Sequence, residues 1–375
     1  MNNMKNKYDV AAFFWPSYTG DEPRARIFWP EGYGEWQTVK AMQPQFEGHE
    51  WPRKPLWGYI NEADPFVMEM ELEAAASHGV NVFIFDWYWY DDRPFLEQCL
   101  NNGYLGARNN DKVKFYVMWA NHTADSSWDK RTSHEHNMIW EYAQGHDRFK
   151  TIADRIIKKY FSHPSYYKIE NKPVFQIYDF CNFLLGLDGV EGAKRALCYL
   201  NDTAVKAGFD GVHTQVTLRA PEHMAWTNPR FGFAGTVKDG VDYVGIDSLT
   251  HYQICAQVQK LTEYVDTIPM MTESWENCKR GYKAPYFPHV SLGWDPTPRY
   301  VPKRQDIVQH AKPEYVEQVL RKAREYIDST PSLPAPLVTI NSWNEWTETS
   351  YLQPDSLYGY GYLEAVKKVF VDEVK

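Results

Sequence analysis

The chain has 375 residues, of which 43% are hydrophobic and 24% charged, a composition typical of a soluble globular protein with a large core. The formal net charge is −9, and no cluster of lysine and arginine is long enough to predict a nucleic-acid-binding face. The sequence contains no apolar run of about 18 residues, the length expected of a membrane-spanning helix, so it predicts no membrane insertion.

Aromatic residues make up 16% of the chain, and many stand beside polar groups. Sugars present flat C–H faces and a rim of hydroxyls, so rings next to hydrogen-bonding groups are typical of their pockets, although a large core would also use them. The five cysteines include no Cys-x-x-Cys pair and predict neither a disulfide framework nor a zinc site. The polar segment Met1–Tyr8 predicts no signal peptide, which leaves localisation open.

Eight short runs rich in Val, Ile, Phe and Tyr predict buried strands. In chain order they are Val10–Trp15, Val80–Asp86, Val113–Ala120, Pro173–Tyr178, Gly211–Val216, Tyr243–Asp247, Pro285–Gly293 and Pro336–Ser342. Helical patterns lie between them at Ala63–His78, Arg93–Leu100, His136–Tyr160, Glu191–Ala207, His251–Tyr264, Pro313–Ile327 and Gly361–Val374.

The alternation of strand and helix predicts an α/β fold, a (β/α)₈ barrel forming a single catalytic domain over residues 1–375. The alternative is an open doubly wound sheet. That fold usually places a glycine-rich turn after its first strand, whereas this strand ends in Trp15-Pro16-Ser17-Tyr18. Two long loops, Pro16–Ile60 and Asp266–Ala284, are predicted to be walls of a pocket.

In a barrel of this kind the active site lies at the C-terminal ends of the strands. The residues near those ends are almost all aromatic or hydrogen-bonding, which favours a carbohydrate pocket. The predicted substrate-binding residues are Trp15, Tyr18, Asp86, Trp87, Trp119, Asn121, His122, Tyr178, Gln215, Tyr252, Trp294, Asp295, Trp343 and Asn344.

The strongest local signal follows the last predicted strand, in the run Trp343-Asn344-Glu345-Trp346-Thr347-Glu348. Residues three apart on a helical turn project from one face. Cleavage of a glycosidic bond needs an acid to protonate the leaving oxygen and a second carboxylate to assist attack at the anomeric carbon. We therefore predict that Glu345 and Glu348 are catalytic, although acids also occur in first helical turns for electrostatic reasons alone.

Other polar residues support less specific interpretations. Asp86 ends an apolar strand, which favours a substrate-binding or supporting role. Asp295 could bind a sugar hydroxyl or simply close a turn. Glu273 and Glu276 are reserve candidates for catalysis. The His134-Glu135-His136 run has the wrong spacing for two ligands on one helix face, so we predict no metal and no cofactor.

Several motifs resemble those of glycoside hydrolase family 99-like proteins, which include WbsX-type proteins often labelled glycosyltransferases. The resemblance covers most of the chain and is most specific from Trp343 to Glu348, with continuations at Tyr351–Asp355 and Tyr358–Leu363. Weaker matches are Trp119-Ala120-Asn121, His163-Pro164, Asn171-Lys172-Pro173 and Trp294-Asp295 with Thr297 and Arg299.

The resemblance implies a (β/α)₈ barrel and cleavage with retention. It implies that the residue matching Glu345 deprotonates the substrate's own 2-hydroxyl, which attacks the anomeric carbon to form a 1,2-anhydro sugar. The residue matching Glu348 would protonate the leaving group and then activate water. This chain has Thr347-Glu348-Thr349 where the endo-mannosidases often have His-Glu-Gly, and Gln353-Pro354 where relatives often have Glu-Pro.

Three functions follow from these observations. The leading hypothesis is a glycoside hydrolase acting on a poly- or oligosaccharide. One alternative is a glycosyltransferase of polysaccharide biosynthesis, although no basic pocket, Asp-x-Asp motif or nucleotide-binding turn is evident in the sequence. The other is a non-catalytic sugar-binding barrel, which would need the aromatic residues but not the two acids. The oligomeric state is left open.

Overall fold

The computed structural model describes residues 7–219, 229–232, 234–300 and 306–374. Most of the segment Met1–Tyr8 lies outside these ranges. Eight parallel strands surround a central axis: β1 (Asp9–Phe14), β2 (Val82–Tyr90), β3 (Lys114–Trp119), β4 (Lys172–Ile177), β5 (His213–Leu218), β6 (Ser248–His251), β7 (His289–Ser291) and β8 (Leu337–Asn341).

The strands are hydrogen-bonded in the order β6-β5-β4-β3-β2-β1-β8-β7. The segment just before β7 brings the two ends of this path together. Leu249 N of β6 donates to Pro285 O at 2.9 Å, and Phe287 N donates to Leu249 O at 2.8 Å. The strands therefore form a nearly closed ring, and the predicted (β/α)₈ barrel is confirmed.

Helices connect the strands around the outside of the ring. The α-helices in the described ranges are α1 (Trp36–Lys40), α2 (Pro65–Ser77), α3 (His146–Ile156), α4 (Phe180–Gly186), α5 (Gly189–Lys206), α6 (Val237–Val244), α7 (Tyr264–Gly281), α8 (Pro313–Asp328) and α9 (Gly361–Lys367). None of them combines the length and the apolar character that crossing a membrane requires.

Burial patterns explain these elements. All nine residues of β2 are buried, as expected of a strand with side chains in the barrel on one face and against helices on the other. In α8 the buried residues recur every three or four positions, at Val316, Val319, Leu320, Ala323 and Ile327, so one stripe of the helix faces the sheet.

Three predictions between β5 and β7 were wrong. The sixth strand was predicted at Tyr243–Asp247, but this segment covers the end of α6 and its cap at Gly245, where φ is 82°. The helix predicted at His251–Tyr264 is mostly irregular, with a single 3₁₀ turn at Cys255–Gln257. The loop predicted at Asp266–Ala284 is largely α7, which accommodates Pro269 in its second turn.

One shorter prediction was also wrong. The segment Arg93–Leu100 was predicted to be helical, but Arg93–Phe95 pairs antiparallel with the end of β2. A π-helical segment follows at Cys99–Tyr104. The second strand was predicted to end at Asp86, but β2 extends four residues further, to Tyr90. The residues after it therefore continue the sheet as an antiparallel strand instead of starting a helix.

Candidate active site

Both predicted catalytic acids lie on a short hairpin that follows β8, which we call the acidic hairpin (Asn344–Tyr351). Asn344–Glu345 pairs antiparallel with Ser350–Tyr351. A 3₁₀ turn at Trp346–Glu348 connects the two arms, and Thr349 reverses the chain with φ of 55°. Side chains three residues apart eclipse each other on such a turn, so Glu345 and Glu348 project from the same side.

The acidic hairpin is fixed to the first strand and to its own base. The Asn344 side chain accepts a hydrogen bond from Trp15 N at 2.7 Å and donates to Trp15 O at 2.8 Å. Ser342 Oγ donates to Ser350 O at 2.6 Å and accepts from Glu345 N at 2.7 Å. The hydrogen bonds of Asn344 join two parts of the chain that are 329 positions apart. Those of Ser342 hold the backbone of Glu345 in one place.

The two acids line a cavity of about 260 Å³ at the C-terminal ends of the strands. Glu345 is 4% exposed and Glu348 is 8% exposed. Other side chains of the lining include Trp15, Asp86, Tyr88, His122, Asp125, Trp128, Tyr178, Arg219, Tyr252, Trp294 and Arg299. The combination of aromatic rings, carboxyls and amide or hydroxyl groups suits a polyhydroxylated ligand.

A buried guanidinium connects the acids to the first long loop. Arg299 Nε donates to Glu35 Oε1 at 3.0 Å, and Nη1 donates to Glu348 Oε1 at 3.0 Å. Its Nη2 lies 3.6 Å from Glu345 Oε1. Glu35 immediately precedes α1 and is fully buried, so the loop after β1 supplies a carboxylate that orients this arginine.

The environments of the two acids differ in a way that separates their protonation. Burial raises the pKa of Glu348 well above its ordinary value, and the nearby charge of Glu345 raises it further. Burial also raises the pKa of Glu345, but Arg299 and the Tyr252 hydroxyl oppose that effect. Glu348 is therefore the better proton donor of the pair, and Glu345 the better proton acceptor.

A third carboxyl faces Glu345 across a tyrosine. The Tyr252 hydroxyl lies 2.8 Å from Asp86 Oδ2 and 2.8 Å from Glu345 Oε2. Asp86 is 4% exposed, and its Oδ1 has no hydrogen-bond partner among the described residues. Burial raises the pKa of Asp86 well above its ordinary value, and the neighbouring charge of Glu345 adds to this.

Aromatic rings form one wall of the cavity. Trp15, Tyr88 and Trp128 contact one another edge to face, with ring centroids 5.5 to 5.7 Å apart. His122 packs edge-on against Tyr88, and burial lowers its pKa to about 4, so the imidazole is neutral at physiological pH. With Nδ1 facing Thr123 O at 3.0 Å, the other ring nitrogen is left to accept a hydrogen bond.

A second pair of acids, which we call the interior pair (Glu62 and Glu71), lies on the other side of the acidic hairpin. Both side chains are fully buried. Asn344 Nδ2 donates to both oxygens of Glu62 at 2.9 Å. Gln353 Nε2 donates to Glu62 Oε1 at 3.1 Å and to Glu71 Oε1 at 2.7 Å. The interior pair therefore anchors the residues that flank the acids rather than the acids themselves.

The structure brings six of the predicted substrate-binding residues into the cavity lining with both acids. They are Trp15, Asp86, His122, Tyr178, Tyr252 and Trp294. The other eight do not line it: Tyr18, Trp87, Trp119, Asn121, Gln215, Asp295, Trp343 and Asn344.

Three of these residues are tryptophans, and strand alternation explains why the two that lie on strands, Trp87 and Trp119, face elsewhere. Successive side chains of a strand point to opposite faces, so Trp87 faces away from the cavity that its neighbour Asp86 lines. Trp87 Nε1 donates to Glu97 at 2.8 Å. Trp119 packs against Phe149, and the fully buried Trp343 packs against Phe83. These three rings pack against other side chains and do not line the cavity.

Other predicted residues hold the frame of the site. Tyr18 Oη accepts from Trp346 N at 3.0 Å and thereby supports the acidic hairpin. Asp295 accepts a hydrogen bond from Thr297 N in a turn and contacts His49 Nε2 at 2.6 Å, which favours the turn-closing interpretation. Tyr18, Asp295 and Asn344 therefore support the loops that carry the cavity residues but do not line the cavity themselves.

Two further residues lie within the barrel wall. Asn121 pairs with the backbone of Asp179, donating to its O at 2.7 Å and accepting from its N at 2.8 Å, and so connects the ends of β3 and β4. Gln215 accepts from Tyr116 Oη at 3.0 Å in the barrel interior.

Sequence reasoning missed several residues of the cavity. Tyr88 could have been found, because alternation from Asp86 places it on the same face. Arg299 was noticed only as part of a motif, since its carboxylate partners are distant in sequence. Trp128 and Arg219 of the lining carried no local signal that separates them from ordinary loop or strand-end residues, and neither did Glu35, which contacts Arg299 but does not line the cavity.

The reserve acids Glu273 and Glu276 are exposed on α7 and do not line the cavity. His134 and His136 are exposed as well. In the part of the chain that the structure describes, no group of three or more His, Cys, Asp and Glu side chains is arranged to hold a metal ion.

Comparison with known proteins identifies the family of this chain. A family model described as glycosyltransferase WbsX matches residues 10–366. The chain belongs to the WbsX family. Its curated relatives include the uncharacterized protein WxcX from two strains of Xanthomonas campestris pv. campestris, 27% identical over 362 residues, or 96% of this chain and 49% of WxcX. The chain thus spans about half the length of these relatives.

Solved structures resemble this WbsX-family chain over nearly its whole length. The GH99 endo-alpha-mannosidase from Bacteroides thetaiotaomicron matches with a TM-score of 0.57 and 15% identity, covering 97% of this chain and 96% of that one. A glycoside hydrolase-like protein matches with a TM-score of 0.60 and 16% identity, covering 98% and 94%. At these identities the likeness establishes a shared barrel fold.

Proposed function

We propose that this protein is a retaining glycoside hydrolase that acts on a poly- or oligosaccharide through Glu345 and Glu348. The observation that carries the proposal is the pair of carboxyls on one hairpin, facing one cavity, in environments that give them different proton affinities. Glycosidases need one protonated and one ionised carboxyl at the same bond.

In the proposed first step Glu348 donates its proton to the glycosidic oxygen as the bond from that oxygen to the anomeric carbon breaks. Glu345 accepts the proton of the substrate's 2-hydroxyl, and the freed oxygen forms a bond to the anomeric carbon. The resemblance to family 99-like proteins suggests this route. Arg299 contacts both carboxylates, so it stabilises the negative charge that moves from Glu345 to Glu348.

In the second step Glu348, now ionised, takes a proton from water, which attacks the anomeric carbon. The anhydro ring opens and its oxygen regains a proton from Glu345. Both acids return to their starting states, and two displacements at one carbon give net retention. The aromatic wall of Trp15, Tyr88 and Trp128 would bind the apolar faces of the sugar ring.

The description of the family favours a second candidate, a glycosyltransferase. The same acids could pass a sugar to an acceptor hydroxyl instead of water. Transfer from a nucleotide sugar would require groups that bind a diphosphate. Of the two arginines in the described lining, Arg299 is engaged by Glu35 and Glu348, and Arg219 lies 3.5 Å from Asp179 Oδ2. Because carboxylates already pair with both arginines, the described lining supports a glycoside rather than a nucleotide sugar as donor.

Incubation of the purified protein with a library of bacterial and plant oligosaccharides, followed by mass spectrometry and a reducing-end assay, tests the proposal. Glu345→Gln and Glu348→Gln are run beside it, with Glu273→Gln as a matched control because Glu273 is exposed on α7. We expect the parent and the control to release sugar and the two hairpin variants to release none.

Two results would contradict the proposal. One is equal release by the parent and both hairpin variants. The other is product from the parent only when nucleotide sugars are supplied, which would instead establish a glycosyltransferase.

A further inference from the structure

The contact of Tyr252 with two carboxyls imposes a condition on where protons lie. A phenolic hydroxyl has a single proton and can donate to only one acceptor at a time. Its oxygen lies 2.8 Å from both Asp86 Oδ2 and Glu345 Oε2, and both carboxyls are buried. If both were ionised, one of these contacts would place a carboxylate against a tyrosine lone pair. One carboxyl must therefore carry a proton and donate to Tyr252.

The charges around the three groups decide which carboxyl this is. Glu345 has the Arg299 guanidinium 3.6 Å away, and its backbone N–H donates to Ser342 Oγ at 2.7 Å. No ion pair involving Asp86 is present among the described residues. The groups that act most strongly on the Asp86 carboxyl are Tyr252, Glu345 and Glu348, with Tyr88 on its own strand, whereas the cations of the lining, Arg219 and Arg299, form their ion pairs with other carboxylates. The groups that act on Asp86 are thus neutral or acidic, so the proton resides on Asp86.

The second oxygen of Asp86 has no partner within the described residues. Asp86 lines the cavity and is 4% exposed, and Oδ1 is a buried polar atom without a hydrogen bond. A buried acceptor of this kind is unfavourable unless a donor satisfies it. A sugar hydroxyl in the cavity would satisfy it, and it would do so beside the carboxylate that Tyr252 orients.

We propose that Asp86 is a third functional carboxyl of the site: it remains protonated, donates through Oδ2 to Tyr252 so that Tyr252 donates to Glu345, and accepts a substrate hydroxyl through Oδ1. The proposal rests on the proposed function for its substrate part only. It also predicts the class of substrate: the sugar ring carries a free hydroxyl at the position that faces Asp86. A negatively charged substituent at that position is not expected to bind.

Two substitutions test the proposal, because an amide resembles a protonated carboxyl and a methyl group does not. Asp86→Asn retains a donor for Tyr252 and an acceptor for the sugar, whereas Asp86→Ala removes both. On the oligosaccharide that the parent cleaves, we expect Asp86→Asn to keep kcat/KM within about fivefold of the parent near neutral pH, and Asp86→Ala to lose about 100-fold. An Asp86→Asn variant as inactive as Glu345→Gln would overturn the proposal, since Asp86 would then act as a carboxylate.

A second readout does not depend on activity. In the infrared difference spectrum of the parent minus Asp86→Asn near neutral pH, we expect the carbonyl band of a protonated carboxylic acid, shifted in deuterated water. An ionised-carboxylate band in its place would overturn the proposal. The protonated band together with no cleavage of any glycan by the parent would retain the proton-sharing arrangement and reject the proposed function, so the two failures are distinguishable.

Discussion

The cavity acids and the interior pair are two sets of buried carboxyls on opposite sides of the same hairpin, and they differ in their partners. Glu345 and Glu348 face a cavity and share the cation Arg299. The interior pair is bound by the amides of Asn344 and Gln353, which cannot neutralise a charge. A buried carboxyl beside a cation and a cavity can exchange a proton with substrate, whereas one held by amides is best suited to an anchoring role.

Among substitutions that test this comparison, we expect the largest loss of activity at Glu348, the proposed proton donor. Glu348→Gln removes the proposed proton donor, so we expect hydrolysis of an oligosaccharide with a poor leaving group to fall by about 10³-fold or more. An aryl glycoside with an acidic phenol needs little protonation and should lose much less. Steady-state kinetics on the two substrate types measure the contrast. Equal losses on both would exclude Glu348 as the general acid.

The next largest effect is expected on stability, when Arg299, the cation that only the cavity acids contact, is replaced. Arg299→Met leaves the carboxylates of Glu35 and Glu345 without a counter-charge, so we expect the free energy of unfolding to fall by about 3–5 kcal/mol. Denaturant titration measures it, with Arg26→Met as the control because Arg26 is exposed. Adding Glu35→Gln to Arg299→Met should recover part of the loss. If the double variant is less stable than the single one, the charge argument is wrong.

A smaller effect is expected at the interior pair, and it depends on pH. Burial raises the pKa of Glu71 to about 8, above its ordinary value near 4.5, so the folded state holds a proton that the unfolded state releases. The stability that this group contributes is fully present below its unfolded pKa and is lost as pH rises towards 8, by about 1.4 kcal/mol per pH unit.

Glu71→Gln should therefore flatten the fall in unfolding free energy between pH 5 and pH 8. Glu73→Gln, an exposed change on the same helix, should leave the parent's slope unchanged. Urea titrations at several pH values test this. A Glu71→Gln slope identical to that of the parent would show that Glu71 does not hold the proton.

The smallest expected effect is at the cavity wall. Trp294 Nε1 is buried and has no partner among the described residues, so it can donate to a substrate hydroxyl. Trp294→Phe keeps most of the ring and removes the donor, and we expect KM to rise by about threefold to tenfold with kcat little changed. Trp57→Phe, whose N–H donates to Tyr360 instead, is the control. An unchanged KM would remove Trp294 from the substrate contacts.

Much of the fold could be predicted from the sequence because strands buried on both faces give continuous apolar runs. The failures lie where local signals conflict. Asp266–Ala284 was predicted to be a loop, although Pro269 lies only a few residues from the start of α7, where a helix tolerates proline. Tyr243–Asp247 was predicted to be a strand, although its first two residues end α6, which begins with a capping box at Thr236 and Asp239. That residues 1–375 form one catalytic domain stays a prediction.

The sequence could predict those parts of the site that lie at strand ends or that consist of residues close together in the chain. The Glu345–Glu348 spacing is local, and the structure places both acids at the cavity. Whether they catalyse hydrolysis stays a prediction. Strand alternation separates Asp86 from Trp87, and the sequence interpretation did not apply it. The contacts of Arg299 with Glu35, 264 positions apart, arise from loop packing that no local pattern encodes.

The hydrogen bonds between Trp15 and Asn344 also have a consequence for the order of folding, because the site cannot form before both residues have been synthesised. They join the first strand to a hairpin that follows the last one, and β8 inserts between β1 and β7 to complete the ring. A nascent chain therefore exposes seven strands before the two acids are in place, and ring closure over so long a sequence separation is slow. The cavity with both of its acids is therefore complete only after β8 and the acidic hairpin have been made, whereas Trp15, Tyr88 and Trp128 of the aromatic wall all precede them in the chain.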